Sequence, residues 1–255
     1  MLLHLQTGIL YGPVKSRRFG KSLGINLMPA QYKFCSFNCV YCHYGATQEH
    51  TVSAREFLAD LPALENVVKA LDQAVKSSVQ FDFITFSGNG EPTLYPWFAE
   101  LVEELIRLRN RYRPNAKLCL LSNSTGLSNK KVRDAVSNID FPVMKLDAGT
   151  ERTFRAVNRP AKGIEFQEII DNLCSLRGII IQTALIGGNP SNVEEKELGA
   201  YFQQIARIRP EEVHLYSIDR PVPDSRITLI PPEELSEIAA RGEKETKVRM
   251  KIFHI

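Results

Sequence analysis

The sequence lacks any long hydrophobic run. No apolar stretch among its 255 residues approaches the roughly 20 residues that a membrane-spanning helix requires. The first six residues also lack the charged start, apolar stretch and small-residue cleavage site of a signal peptide. We therefore predict a cytoplasmic protein that has no membrane contact.

Neither sign of charge dominates, since 32 Lys and Arg residues face 29 Asp and Glu residues. The resulting net charge of +3 is too small to indicate nucleic-acid binding by itself. The cations are concentrated at the two ends: residues 1–50 carry five basic groups and one acidic group, and residues 241–255 carry five and two. These ends either flank one basic surface or are solvated termini.

Cysteine is scarce, and its distribution is uneven. Three of the five cysteines, Cys35, Cys39 and Cys42, fall within eight residues. Cys119 and Cys174 lie inside a predicted strand and a predicted helix, where they are expected to be small core residues. In a cytoplasmic protein, clustered thiols and an odd cysteine count favour a metal or redox site over a disulfide framework.

Strand and helix patterns alternate along most of the chain. Short connections between such elements predict parallel strands with right-handed crossovers, and the apolar strands predict a sheet covered on both faces. A doubly wound sheet and an incomplete (β/α) barrel both fit, because the six strong strand–helix units are fewer than the eight of a full barrel. The predicted strands are 22–28, 81–86, 117–122, 143–147, 179–186, 213–218 and 248–253, and the predicted helices are 63–76, 97–109, 129–136, 166–176, 193–208 and 233–240.

The cysteine segment 35–42 has the spacing C-x3-C-x2-C. Three thiolates at this spacing can wrap one soft metal centre, and a cubane iron–sulfur cluster with three protein ligands keeps one iron free. A structural zinc site normally takes four ligands. His43 directly follows the last cysteine and His50 lies seven residues further on, so a zinc site and a coincidental spacing stay open as alternatives.

The arrangement C-x3-C-x-aromatic-C after a first strand resembles the signature of the radical S-adenosylmethionine superfamily. The resemblance extends from about Gly12 to Pro231. It implies an α/β fold, a partial (β/α)6 barrel (an incomplete TIM-type barrel) with parallel strands. It also implies one domain over residues 1–255, with its core at 12–231 and a C-terminal helix and strand in 232–255.

The same resemblance implies the cofactors and the reaction. Cys35, Cys39 and Cys42 would hold one [4Fe–4S] cluster, whose free iron binds S-adenosyl-L-methionine. Reductive cleavage of that cofactor would give a 5′-deoxyadenosyl radical, which abstracts hydrogen from a substrate. The electron would come from an external donor of the flavodoxin or ferredoxin type.

The loop 87–92, Ser-Gly-Asn-Gly-Glu-Pro, resembles the Gly-Gly-Glu motif of that superfamily. Glycines allow a backbone to approach a ligand closely, so Gly88 and Gly90 are expected to bind the cofactor together with Asn89 and Glu91. Their carbonyls and the Glu91 carboxylate would suit the methionine amine. Asn89 departs from the motif, and a plain turn is the alternative.

Four more residues are predicted to bind the cofactor. Tyr41 matches the aromatic position that packs on adenine, and Asn123 follows the third predicted strand, where the superfamily contacts ribose or carboxylate. Strand alternation places Lys145 and Asp147 on one side, where buried charges are costly unless they are paired or liganded. A core aromatic, an Asx turn or cap, and a mutual salt bridge are the respective alternatives.

The opening segment 12–24 resembles radical enzymes grouped with wyosine synthase, a tRNA-modifying enzyme. That enzyme carries a second cluster on additional N-terminal cysteines, which are missing here. We therefore interpret this resemblance as a shared scaffold and not as evidence for the wyosine reaction. No residue is assigned as a catalytic acid, base or hydrogen donor.

Several substrates are compatible with these motifs. RNA modification is favoured by the basic ends and by arginines at 107, 109, 111 and 113, although such arginines are also typical of a solvated helix end. Modification of a protein or peptide and action on a small molecule are the alternatives. A zinc-stabilised binding module is the non-enzyme alternative, but it leaves the glycine loop and the Lys145/Asp147 pair unexplained.

Overall fold

The computed structural model describes residues 2–16 and 18–253, and in that part of the chain one sheet contains eight strands. The strands are β1 (Leu10–Ser16), β2 (Gly20–Asn26), β3 (Phe83–Ser87), β4 (Lys117–Ser122), β5 (Phe141–Lys145), β6 (Ile180–Ala184), β7 (Glu212–Tyr216) and β8 (Arg249–Ile252). The helices are α1 (Leu64–Lys76), α2 (Phe98–Tyr112), α3 (Lys130–Val136), α4 (Glu151–Val157), α5 (Phe166–Ser175), α6 (Glu195–Ile208) and α7 (Pro232–Thr246).

The strands follow one another across the sheet in chain order. β1 pairs antiparallel with β2, and every later pair from β2 to β8 is parallel. β1 and β8 form the two edges, so the described residues make an open sheet. The predictions of an α/β fold and of an incomplete barrel of parallel strands are confirmed.

The helices cover the outer face of this sheet with regularly spaced apolar side chains. In α1, Val67, Leu71 and Val75 recur every four residues and are buried, as an amphipathic helix requires. Strand residues that point outward meet these helices, and the Phe86 and Phe98 rings lie 5.2 Å apart. Each such side chain contributes roughly 1.5–3 kcal/mol of burial free energy.

The turn between β1 and β2 fills the concave face at the amino end of the strands. The Phe19 ring lies 5.3 Å from Phe83 of β3, 6.4 Å from Phe141 of β5 and 6.4 Å from His214 of β7. One ring can touch three alternate strands only because the sheet curves around it. This filling leaves the carboxyl ends of the strands as the accessible part of the interior.

β1 and α4 have no counterpart among the predicted elements. Gly12-Pro13 interrupts the apolar pattern of β1, and the register shifts between Tyr11 and Val14, an irregularity that an edge strand tolerates. α4 spans only seven residues, and the hydroxyl of Thr150 caps it by accepting from the backbone N–H of Thr153.

Among the described residues, no helix is long and apolar enough to cross a membrane.

Some basic residues from each end of the chain lie at the amino end of the sheet, whereas Lys33 is buried beside the cysteines. Lys21 is at the start of β2 and Arg249 is at the start of β8. Arg17 lies outside the described residues. In α2, Arg109 is buried and its Nη1 donates to Asp140 at 2.7 Å, so this arginine stabilises the fold and does not form a basic patch for RNA.

Candidate functional site

The cysteine loop follows β2 and pairs with the glycine loop at the carboxyl end of β3. The Phe34 N–H donates to the Asn89 carbonyl at 3.0 Å, and the Glu91 N–H donates to the Phe34 carbonyl at 3.2 Å. A Cβ atom on Gly90 would lie 1.6 Å from the Phe34 carbonyl oxygen. Glycine is therefore required at position 90 because the two loops touch through their backbones.

A cavity of about 270 Å³ lies between these loops and the carboxyl ends of the strands. Nine of the eleven residues predicted from the sequence line it, and Asn89 and Asp147 do not. The nine are Cys35, Cys39, Tyr41, Cys42, Gly88, Gly90, Glu91, Asn123 and Lys145. A larger groove of about 830 Å³ lies near the starts of α2, α3 and α5, and none of the eleven residues lines it.

The cysteine sulfurs are held by amide donors. The side-chain amide of Asn123 donates to Cys35 Sγ at 3.6 Å, and that of Asn158 donates to Cys39 Sγ at 3.5 Å. The Phe37 N–H also donates to Cys35 Sγ at 3.5 Å. Hydrogen bonds to sulfur orient thiolate ligands and tune an iron–sulfur centre, so this donor set fits such a cluster.

The charges around the cysteines also fit an anionic sulfur centre. Lys33 is 3% exposed, and its ammonium donates to the Gly45 carbonyl at 2.9 Å. Burial would lower the pKa of Lys33, but the three cysteines outweigh burial, and the pKa lies above its ordinary value. A buried ammonium is costly without a negative partner, which a thiolate-bound cluster would provide.

The thiols of Cys35 and Cys39 are neutral at physiological pH in the absence of a metal. Burial raises the pKa of Cys35 to about 12 and that of Cys39 to about 11, so binding of iron must displace their protons. Within the described part of the chain, no three His, Cys, Asp or Glu side chains are grouped around a single ion position. A cubane does not require such a group, because each thiolate binds a different iron.

Glu91 ties the glycine loop to the end of β4. Its Oε1 accepts from Thr93 N at 3.0 Å, from Thr93 Oγ1 at 2.6 Å and from Ser122 Oγ at 2.8 Å, and its Oε2 accepts from Asn123 N at 2.6 Å. Burial raises the pKa of Glu91, and these bonds oppose the shift. Glu91 thus positions Asn123 beside Cys35, while its contact with a methionine amine stays a prediction.

Asn89 points away from the cavity and holds the N-terminal segment. Its side chain accepts from the Gln6 N–H at 2.7 Å and donates to the Gln6 carbonyl and the Pro29 carbonyl, each at 2.8 Å. The Leu3 N–H donates to the His43 carbonyl at 2.8 Å, and Leu3 lines the cavity. Asn89, which departs from the family motif, therefore holds in place the N-terminal segment that forms one wall of the site.

Lys145 and Asp147 form the mutual salt bridge that was the alternative to ligand binding, with 2.8 Å between Nζ and Oδ1. The Lys145 ammonium also donates to the Tyr216 hydroxyl at 2.9 Å and lies 4.8 Å from the Tyr41 ring centroid. Burial would lower the pKa of Lys145, but Asp147 and Tyr216 outweigh it, so the pKa is raised and the lysine is a cation.

Asp147 is enclosed by its partners and has no exposed side-chain area. Its Oδ1 accepts from the Ala184 N–H at 2.8 Å, and its Oδ2 accepts from Asn158 Nδ2 at 2.7 Å and from the Tyr41 hydroxyl. Asp147 thereby fixes the ring of Tyr41 and the charge of Lys145. The sequence did not reveal Asn158, because it follows the unpredicted helix α4.

Comparison with known proteins places the chain in a family. The family model described as "Radical SAM superfamily" matches residues 31–201, more than half of the chain. A UPF0026 protein of Methanocaldococcus jannaschii is 31% identical over 238 residues, which cover 91% of this chain and 70% of that protein. A protein of Brachyspira hyodysenteriae named GTPase Obg is 27% identical over 253 residues, which cover 97% of this chain but only 35% of that protein.

Solved structures share the fold at low sequence identity. A structure of TYW1 with a lysine-pyruvate adduct bound has a TM-score of 0.59 and 15% identity, covering 89% of this chain and 75% of that chain. Streptococcus suis SuiB bound to S-adenosylmethionine has a TM-score of 0.62 and 12% identity, covering 88% of this chain and 49% of that chain.

The chain belongs to the radical SAM superfamily, whose members are enzymes that catalyse radical reactions. Its identity to the archaeal protein places it among the UPF0026 proteins. Membership implies S-adenosylmethionine and an iron–sulfur cluster as cofactors. The superfamily and enzyme class predicted from the sequence are confirmed.

Proposed function

We propose that the protein reductively cleaves S-adenosyl-L-methionine at one [4Fe–4S] cluster and uses the resulting radical to take hydrogen from a substrate. The observation that carries the proposal is the set of three cysteines on one cavity, with amide donors on two of their sulfurs. Cys35, Cys39 and Cys42 would bind three irons. The cluster, when bound, supplies one electron that breaks the bond between sulfur and the 5′-carbon of the cofactor, giving methionine and a 5′-deoxyadenosyl radical.

The residues of the chain would bind and shield this chemistry. Asn123 and Asn158 orient the cysteine sulfurs, and the Lys145 cation lines the cavity, where it would attract a carboxylate. The ring of Tyr41, fixed through Asp147, offers a flat surface for a base. Leu3, which lines the cavity, would limit the access of water to the radical.

Two partners belong to this proposal. An external electron donor of the flavodoxin or ferredoxin type would reduce the cluster. RNA is the substrate class to test first, supported by the resemblance of segment 12–24 to the wyosine-synthase group. A peptide and a small molecule stay alternatives.

Anaerobic reconstitution followed by dithionite reduction tests the proposal. The protein should bind about four irons and four sulfides per chain and release 5′-deoxyadenosine from S-adenosylmethionine. Cys39→Ala should abolish the product, whereas Cys174→Ala, a cysteine on the outer helix α5, should retain it. One zinc per chain without labile sulfide would contradict the proposal.

A further inference from the structure

The outer side of the cysteine loop is covered by two other segments of the chain. One segment follows α4 and the other lies between β7 and α7. Both are joined to the cysteine loop through backbone hydrogen bonds. These bonds are Ala161 N to Ser36 O at 2.9 Å, Asn38 N to Arg159 O at 3.1 Å and Asp224 N to Val40 O at 3.4 Å.

Four cations project from these segments, and we refer to them as the cationic row: Arg159, Lys162, Arg220 and Arg226. Lys162 is exposed, and the three arginine side chains are 41%, 49% and 62% exposed. The neighbouring carboxylates are buried, with Asp219 4% and Asp224 9% exposed. Glu165, the third carboxylate of these segments, is 62% exposed and lies 3.6 Å from Arg155. The exposed charged groups of the two segments are therefore mainly cations.

Buried carboxylates fix two of these arginines in place. Arg159 Nη2 lies 2.8 Å from Asp224 Oδ2, and Arg226 Nη2 lies 2.7 Å from the same oxygen. The guanidinium groups are thus oriented before any partner arrives, which lowers the entropic cost of binding. None of the four cations lines the cavity, so the row is separate from the substrate side of the site.

We infer that the cationic row is the docking surface for an acidic one-electron carrier protein that reduces the cluster. The inference rests on the proposed function, in which each cleavage consumes one electron. The carrier is oxidised by one electron and the cluster is reduced by one, and no covalent bond forms. Because the row is bonded to the loop that holds the cysteines, a carrier seated on it lies next to the acceptor.

The small number of cations in the row, and the fixed orientation of two of them, favour a redox protein over RNA as the partner. Nucleic-acid binders commonly neutralise about six to ten phosphates, more than four cations can pair. Electron-transfer complexes are small and transient, and complementary charges steer their encounter. Four cations, two of them oriented by the buried Asp224, match the second description.

The test compares two charge reversals of equal size. Lys162→Glu/Arg220→Glu reverses two cations of the row, and Lys69→Glu/Lys131→Glu reverses two exposed lysines on the outer helices α1 and α3. Stopped-flow spectroscopy would follow the oxidation of flavodoxin hydroquinone by the reconstituted protein, and calorimetry would measure binding of oxidised flavodoxin. A fluorescent oligouridine would report RNA binding, and dithionite would reduce the cluster without a protein partner.

We expect the row variant to lose about tenfold or more in flavodoxin oxidation rate and affinity at low ionic strength. The difference should vanish at about 0.5 M salt, where charges are screened within a few ångströms. The control variant should behave like the wild type, and the dithionite-driven yield of 5′-deoxyadenosine should be equal in all three proteins.

Unchanged flavodoxin kinetics in the row variant would overturn the inference, and a selective loss of oligouridine binding would reassign the row to RNA. Failure of dithionite to yield 5′-deoxyadenosine from the wild type would instead count against the proposed function. The electron-transfer rate to the cluster would still be measurable in that case.

Discussion

The two ends of the sheet differ in what fills the concave face. At the amino end, aromatic and aliphatic side chains pack around Phe19, which forms a cluster with Cys119, Val143 and Ile180. At the carboxyl end, the same strands continue into a cavity whose lining includes three cysteines and the ammonium of Lys145. The fold thus has a packed base, the Phe19 cluster at the amino end, and a polar rim, the charged and thiol side chains at the carboxyl end, where a reaction can take place.

This contrast explains why the polar end needs so many internal partners. Buried charges and amides are costly without hydrogen bonds, and Asp147 and Glu91 each meet that cost with several donors. The amino end relies more on complementary shapes, although it also holds the buried Ser22–Thr85 hydroxyl pair and His214, which is bonded to Glu212. Changes at the two ends should therefore affect different measurements.

The largest expected effect is at the carboxyl end, from Gly90→Ala. The added Cβ would meet the Phe34 carbonyl at 1.6 Å, so the glycine loop and the cysteine loop would have to separate. We expect iron content after reconstitution to fall by at least tenfold, measured by iron and sulfide analysis. Gly199→Ala is the matched control, because a Cβ there meets nothing within 4 Å and lies in helix α6. Equal iron content in both variants would show that the loops need not touch.

The sequence predicted the order of strands and helices because each has its own periodicity. β4 was predicted with the bounds that the structure has, Lys117–Ser122. The hairpin strand β1 was missed because its Gly-Pro step breaks the pattern, and the short helix α4 was missed because seven residues give little periodic signal.

The candidate site was predicted in its position but not in its contacts. The three cysteines could be chosen from their local spacing, and Gly90 from the resemblance of its loop to the superfamily motif. The partner of Asn89 is Gln6, 83 residues away, and the amide that meets Cys39 belongs to Asn158, 119 residues away. Side-chain pairs of this kind depend on tertiary packing, which a single sequence does not specify.

A smaller and separable effect is expected at the amino end, from Phe19→Ala. Removing a buried ring that contacts three strands should lower the free energy of unfolding by about 3–5 kcal/mol, measured by urea denaturation. Iron content at low temperature should stay close to that of the wild type, because the cysteine loop is at the other end. Phe253→Ala, at a half-buried position after β8, should cost less. Loss of the cluster in the folded Phe19 variant would mean that the two ends are not independent.

The smallest expected effect concerns the wall of the cavity, through Asn89→Ala. The substitution leaves the Gln6 amide and carbonyl without their partner, which should cost about 1–3 kcal/mol locally. Because the other contacts of the cysteine loop persist, we expect normal iron content after anaerobic reconstitution but faster hydrogen exchange in residues 3–6 and faster cluster loss in air. Asn129→Ala removes a helix cap on α3 and is the control for a lost asparagine side chain. If exchange in residues 3–6 is unchanged, Asn89 does not hold this wall, and the polar rim is closed by the strand ends alone.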